Sequence, residues 1–448
     1  LLGPIVSRKF GGRNFIVLLI LAILALSHRL AYPTVPYPAI VRIGLTRYKN
    51  ATAVSFAADH NLAVASATDG TKIVSAPNNR LLTVVVSNGE LAVAKGSDTP
   101  LALGKSILVK PVEPDTIISV DCGQIKGRYR SSVEVTLVNG RLRLVNIVGL
   151  EDYLLGVVPS EMPPTYPKEA LKAQAITART FTIRNLRRHV AEGFDLCDGE
   201  HCQTYSGTGC EREESTQAVK ATCGMVLTYK GDLASTMYCA DCGGVTQSFG
   251  ESYQTKDVPY LCSIREPEGT EHCEWERLTT PNEMAALLSR CGAPTGTKLC
   301  AAAIKELYSS GRVRSVALNT DAGQFLLSGQ QMRSALGLKS TLFAVELTDD
   351  GLLRLRGRGY GHGIGLCQVG ARSLALPPFN YSATQILAHY FPGTVISQLE
   401  KPCGTTSVEI GSTAPARTHP TRPRSQTKAN TPGKSEKLLS SRLKTSRL

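Results

Sequence analysis

The chain has 448 residues, 42% of them apolar, enough to bury a sizeable core in one large or two ordinary domains. Its formal net charge is +13, but nine Lys/Arg against two Asp/Glu fall within residues 404–448, so more than half of the excess sits in a tail. That placement, with no aromatic-and-basic signature and no basic recognition helix, speaks against nucleic acid as a partner. Thirteen cysteines are many for a cytosolic enzyme and point to an oxidising compartment. Their odd number leaves at least one outside intramolecular disulfides, or in a metal site.

In chain order, Arg8, Lys9 and Arg13 precede an uncharged apolar run over residues 15–26. Such a run is short for a membrane span and right for a signal-peptide core. Small residues follow only loosely, at Ala25, Ser27 and Ala31. Residues 1–31 are therefore expected to be a signal peptide or an N-terminal membrane anchor, and the chain to be exported to the cell envelope, as a periplasmic or wall protein.

Residues 36–145 predict a β-rich part, with short apolar runs broken by Gly, Asn and Asp. Asn139-Gly140, between two alternating runs, predicts a two-residue hairpin. In the following core, residues 146–402, the spacing predicts a long helix over 167–189 with an interior of alanines (Ala170, Ala173, Ala175, Ala178) that allows close packing. Further helices are expected over 282–290, 330–336 and 383–390, and a strand over 352–356. Residues 404–448 are Ser/Thr/Pro/Lys/Arg-rich and predict a disordered basic tail, able to contact anionic lipid or wall polymers. There is no internal repeat. The fold class expected is α+β.

Four constellations carry chemistry. Glu161 stands among Val157, Val158, Met162 and three prolines. An apolar setting raises a carboxyl pKa and suits a general acid, although a charge at a helix end is the plainer reading. Glu151 and Asp152, just upstream, read as surface or capping residues. Cys197-Asp198-Gly199-Glu200-His201-Cys202 groups soft ligands at zinc-like density, with His189 as a fourth; a Cys197–Cys202 disulfide is the rival. The loop over 357–368 alternates glycines and presents His362. No register fits a dinucleotide fingerprint and no Gly-Lys-Ser/Thr follows, so it reads as a cleft wall or a structural turn. Tyr238-Cys239-Ala240-Asp241-Cys242 carries a C-x-x-C expected to be a local disulfide, and Cys262–Cys273 and Cys291–Cys300 are plausible pairs.

Together these blocks resemble the SpoIID/LytB family of cell-wall proteins. The resemblance rests on residues 150–163, on Ala170-Leu171-Lys172-Ala173-Gln174-Ala175 with Ala178-Arg179-Thr180-Phe181, and on His201-Cys202-Gln203 with Tyr205 and Gly207. It continues through Cys242-Gly243-Gly244 with Thr246, residues 357–371, and Tyr390-Phe391-Pro392-Gly393. It implies a β-rich, two-lobed domain with a central Ala-rich helix and a cleft between lobes. It further implies lytic transglycosylase activity on peptidoglycan glycan strands, cutting between MurNAc and GlcNAc, with Glu161 as the catalytic residue in Pro-Ser-Glu-Met-Pro. Gln203, Tyr205, His362 and Gln368 become candidate sugar contacts, with Arg179 and Gln174 as buried supports. Zinc is implied at Cys197, His201 and Cys202, with His189 an awkwardly spaced fourth ligand. LytB-type members imply another outcome, a non-catalytic wall-binding regulator of a cell-wall amidase. A zinc-dependent hydrolase lacks an H-E-x-x-H or comparable set. The chain departs from the family pattern at Tyr360, where Trp is common, at Pro377-Pro378, and at Cys239, Cys242 and Cys367, where small residues or Ser are usual.

Overall fold

The computed structural model describes residues 37–400 apart from 68–71, 79 and 97. The expected export segment and basic tail lie outside these residues. Two largely antiparallel sheets come first in the chain, with hairpins that follow the turn chemistry. Strand Ser132–Val138 returns as Arg141–Gly149 with Val138 opposite Arg141, and Asn139 and Gly140 take φ of 50° and 76°, the left-handed pair that a two-residue turn demands. Arg141–Gly149 lies inside a seven-stranded sheet, between Ser132–Val138 and Ile40–Gly44. On the far side of Ile40–Gly44, the short strand Leu196–Cys197 pairs in parallel. A six-stranded sheet, from Lys126–Tyr129 to Leu101–Ala102, packs its apolar residues (Val54, Phe56, Val84, Val120) into the same core.

The strand Arg141–Gly149 runs directly into helix Leu150–Glu161, and the Ala-rich helix Lys168–Arg184 follows. Sequence patterning does not mark the first helix, because Gly156 and Pro159 interrupt it. Gly156 is there for close approach: a Cβ would stand 2.6 Å from the Tyr205 ring. The Ala-rich helix is buried on nearly every side from Ala170 to Thr182. Its threonines satisfy themselves, Thr177, Thr180 and Thr182 donating to the carbonyls of Ala173, Ile176 and Ala178 at 2.8, 2.7 and 2.8 Å. It stops at Arg184, five residues before the expected end, because Asn185 leaves the helical region and Arg187 turns left-handed at φ 66°. The chain then folds back, which places His189 beside the Cys197–Cys202 segment.

Glu151 and Asp152 are not surface residues. Arg179, 0% exposed, makes a two-pronged pair with Glu151 at 2.8 and 2.6 Å, and burial raises the Asp152 carboxyl pKa. Removing one partner of a buried pair leaves the other charge uncompensated. Arg179→Met is therefore expected to cost about 3–5 kcal/mol in urea denaturation, and Glu151→Gln in the same chain to recover part of it.

A second core lies further on. Trp275, Leu287, Leu288, Val316, Leu318, Met332 and Phe343 pack together between two three-stranded sheets and two helices. Helix Pro281–Arg290 starts with a Thr280–Glu283 capping box and Pro at its first turn, and helix Gly329–Leu336 with a Ser328–Gln331 box. The helix Ala383–Tyr390 and the strand Leu353–Arg358 also form where expected. The architecture is thus α+β and rich in strand. Among the described residues no helix is long and apolar enough to cross a membrane.

Candidate functional site

Glu161 is the last residue of its helix. Met162 leaves the helical region at φ −128° and ψ 132°, as a residue before proline must. The helix C-terminus is the negative end of the macrodipole, an unfavourable place for a carboxylate. The side chain is half-buried, and burial raises its pKa above the usual glutamate value. Hydrogen bonds pull the other way: Thr204 gives its backbone N–H to Oε1, and the Thr204 hydroxyl and Tyr238 phenol also reach the carboxyl. Burial outweighs them, leaving a carboxyl that holds its proton to higher pH yet has donors ready for its ionised form.

The segment carrying Thr204 is anchored twice. Asp198, 4% exposed, accepts from Thr46 N at 2.9 Å, Thr46 Oγ1 at 2.6 Å and Arg47 Nε at 2.8 Å, fastening the turn to the 3-10 segment Thr46–Tyr48 that follows the first strand. Beside it, His189, Cys197, His201 and Cys202 bring one ligand atom each within 4.8 Å of one another. The separations are 3.2 Å for His189 Nε2 to His201 Nδ1, 3.4 Å for Cys202 Sγ to His189 Nε2, and 3.7 and 3.8 Å from His201 Nδ1 to Cys202 and Cys197. A zinc tetrahedron has edges of about 3.3 Å between nitrogens and about 3.6 Å between nitrogen and sulfur. The four residues fit that shape, His189 included. Glu192 Oε1 holds His189 Nδ1 at 2.5 Å, the carboxylate–histidine arrangement that fixes a ligand tautomer. A hydrogen bond from Cys202, helped by the Gly199 backbone and His201, lowers the Cys197 thiol pKa, and the Cys202 thiol pKa is raised in turn.

The other candidates are placed differently. Gln203 is 0% exposed, donating to Thr182 Oγ1 at 2.9 Å and accepting from the Tyr238 hydroxyl at 3.1 Å. Tyr205 is 1% exposed, donates to Asn146 Oδ1 at 2.8 Å and packs on Tyr153 with ring centroids 4.9 Å apart. Both brace the wall behind Glu161 from inside the core and offer no ring face or amide to a ligand. Gln368, 5% exposed, reaches Gln174 Oε1 at 3.5 Å from the start of helix Gln368–Ala375.

His362 is held in one tautomer, its Nδ1 accepting from Ile364 N at 3.0 Å and its ring donating to the Tyr238 backbone. Burial lowers its pKa to about 4, so it is neutral at neutral pH. It lines a hollow of about 350 Å³ with Arg312, Arg333 and Tyr308, to which Glu161 does not contribute. A larger hollow of about 640 Å³, lined by Trp275, Phe343 and Arg356, also excludes Glu161. The link between Glu161 and the glycine-rich loop runs instead through Tyr238, whose hydroxyl faces the carboxyl and whose backbone holds His362. The loop can lie this close because a side chain at Gly365 (φ 74°) would strike the Met237 carbonyl.

Thr204, Tyr238, Asp198 and Glu192 went unmarked as site residues. Thr204 acts largely through its backbone, which leaves no trace in residue type. The expected cysteine pairs are not formed: Cys239, Cys242, Cys262, Cys273, Cys291 and Cys300 are free thiols, as are Cys197 and Cys202, while Cys223 is disulfide-bonded.

Several known proteins are similar to parts of this chain. The family profile described as Stage II sporulation protein (SpoIID) matches residues 138–229, the stretch holding Glu161 and the Cys/His cluster. A profile described as Domain of unknown function (DUF8618) matches residues 263–365, which include the second core. An uncharacterized protein of Brachyspira hyodysenteriae is 30% identical over 273 residues, 60% of this chain and 72% of its own. Stage II sporulation protein D of Bacillus subtilis is 29% identical over 285 residues, 60% of this chain and 80% of its own. The amidase enhancer of Bacillus subtilis is 29% identical over 293 residues, 54% of this chain and 40% of its own. The chain belongs to the SpoIID/LytB family of cell-wall proteins.

Proposed function

We propose that the protein is an exported lytic transglycosylase of the cell envelope that cuts peptidoglycan glycan strands between MurNAc and GlcNAc, leaving 1,6-anhydro-MurNAc ends. The observation that carries this reading is the half-buried Glu161 carboxyl, its pKa raised by burial, with the Thr204 backbone N–H donating to it. Glycosidases in general use two carboxyl groups. One suffices where the nucleophile belongs to the substrate. Glu161 gives its proton to the glycosidic oxygen and the C1–O bond breaks. The resulting carboxylate, held by the Thr204 N–H and hydroxyl and by the Tyr238 hydroxyl once that turns to it from Gln203, takes the proton of the C6 hydroxyl as that oxygen bonds to C1. No water is consumed, and the tethered hydroxyl needs no binding step of its own.

His189, Cys197, His201 and Cys202 would hold a zinc ion. Four protein ligands close the coordination sphere, so its chemistry is structural: it would fix the turn that delivers Thr204 to Glu161. Tyr238→Phe removes one donor to the carboxylate. It is expected to slow turnover about tenfold, and to move the alkaline limb of the pH–rate profile upward, because a lost donor raises the carboxyl pKa further. An unmoved limb would show that the phenol does not touch the reacting group.

The relationship to an amidase enhancer favours a second reading, a wall-binding protein that stimulates a cell-wall amidase. One experiment separates the two. Purified protein is incubated with peptide-free glycan strands, and separately with intact sacculi plus an N-acetylmuramoyl-L-alanine amidase. Anhydro ends from the bare strands support the transglycosylase. Intact strands together with faster amidase turnover support the enhancer.

A further inference from the structure

A second cluster of soft ligands lies away from Glu161. Asp241, Cys242, His272 and Cys367 each bring a ligand atom within 4.8 Å of the others. They come from three separate segments: the loop after strand Tyr238–Cys239, the approach to strand Glu274–Leu278, and the cap of helix Gln368–Ala375. Cys242 and Cys367 are 0% exposed and Asp241 1%.

Two backbone N–H groups, of Cys242 and Gly370, point at Cys367 Sγ, both at 3.2 Å. A neutral thiol is a weak acceptor, so two donors aimed at one sulfur suit a thiolate ligand. Asp241 Oδ1 lies 2.7 Å from His272 Nδ1, and its carboxylate is oriented by the N–H groups of Gly243 at 2.8 Å and Cys273 at 2.6 Å. Beside them is Glu266, whose side chain is 0% exposed. Its Oε1 accepts from Tyr390 at 2.6 Å and from Cys242 Sγ at 3.0 Å. Its Oε2 pairs with His272 Nε2 at 3.3 Å. Two buried carboxylates, Asp241 and Glu266, thus face one imidazole, a negative surplus that a divalent cation offsets.

We propose that Cys242, His272 and Cys367, with a carboxylate oxygen of Asp241, form a second metal site for a soft divalent cation of the zinc class. Two thiolates, an imidazole and a carboxylate match that ion's preferences and not those of calcium or magnesium. Binding exchanges the thiol protons for the ion, and the site follows zinc's usual coupling of affinity to pH. A Cys242–Cys367 disulfide would leave the two N–H groups aimed at Cys367 without a charge to answer them. The site would staple together the strand bearing Tyr238, the glycine-rich loop leading to Cys367, and the segment that enters the second core. It does not depend on what the protein does to glycan.

The full chain, purified under reducing and anaerobic conditions and loaded with zinc, tests this directly. Inductively coupled plasma mass spectrometry should find two ions per chain in the unaltered protein and one in Cys197→Ser/Cys202→Ser. Changing Cys242→Ser and Cys367→Ser as well should leave none. Cobalt in place of zinc should give the Cys197→Ser/Cys202→Ser chain the ultraviolet thiolate-to-cobalt band of two sulfur ligands. Crystals of the unaltered protein at the zinc edge give a position-specific reading that no variant's folding can blur: an anomalous peak among Cys242, His272 and Cys367 is expected. No peak there, or a Cys242–Cys367 disulfide in protein kept from oxygen, overturns the proposal.

Discussion

Glu161→Gln is expected to reduce the formation of anhydro ends by about 10²–10⁴-fold, the usual contribution of a positioned general acid and base. The amide keeps the size of the side chain and can still accept from Thr204, so the fold should survive. Stability gives an independent check with a definite sign. The Glu161 carboxyl pKa is raised on folding, so its stabilisation is fully present below the unfolded value of about 4.3 and is lost as pH rises through the folded value. The unaltered protein should therefore lose stability relative to Glu161→Gln as pH climbs through that window, as read by urea midpoints at several pH values. Activity should fall over the same window, because the acid step needs the proton. Glu161→Asp retracts the carboxyl by one methylene and should cost about 10²-fold. Two urea series that stay parallel across pH would contradict a raised pKa.

The second large effect is expected at the His189–Cys202 cluster. With zinc bound, chelation should slow anhydro-end formation at least about tenfold and speed hydrogen exchange in residues 197–205, with added zinc restoring both. The reason is positional: Cys202 and Thr204 share one turn, and the Thr204 N–H is a principal donor to Glu161. Cys202→Ser should reproduce the chelated state without rescue. Glu192→Ala, which frees the His189 ring, should weaken zinc binding by about 10–100-fold. A Cys197–Cys202 disulfide makes the opposite pattern: sensitivity to reductant and indifference to chelator. Elemental analysis beside the activity assay distinguishes the two.

The parts of this architecture that were readable in advance share one property: their cause is local. The Asn139-Gly140 hairpin, the short helices Pro281–Arg290, Gly329–Leu336 and Ala383–Tyr390 and the alanine run of helix Lys168–Arg184 all follow from residues within a few positions of each other. Helix Leu150–Glu161 did not, because Gly156 and Pro159 lower local propensity and its stability comes from burying Tyr153, Leu154, Val157 and Val158 against the sheet. The placing of His189 depends on a left-handed Arg187, a conformation that residue type does not announce. Gln203 and Tyr205 carry the right chemistry for sugar contacts, yet burial assigns them to the wall. The donor that matters most for Glu161, the Thr204 amide, is a backbone group. Motif wording picked out Glu161 and the Cys/His set as candidates; burial separates the groups around them into those that face outward and those that brace from behind.

The most direct test of the central claim is isotopic. Peptide-free glycan strands are digested in H2¹⁸O and the new ends are weighed by mass spectrometry. Transfer of the Glu161 proton with closure by the substrate's own hydroxyl predicts 1,6-anhydro-MurNAc ends carrying no ¹⁸O, lost in Glu161→Gln. Reducing MurNAc ends that carry one ¹⁸O would mean that water is the nucleophile and would contradict the account.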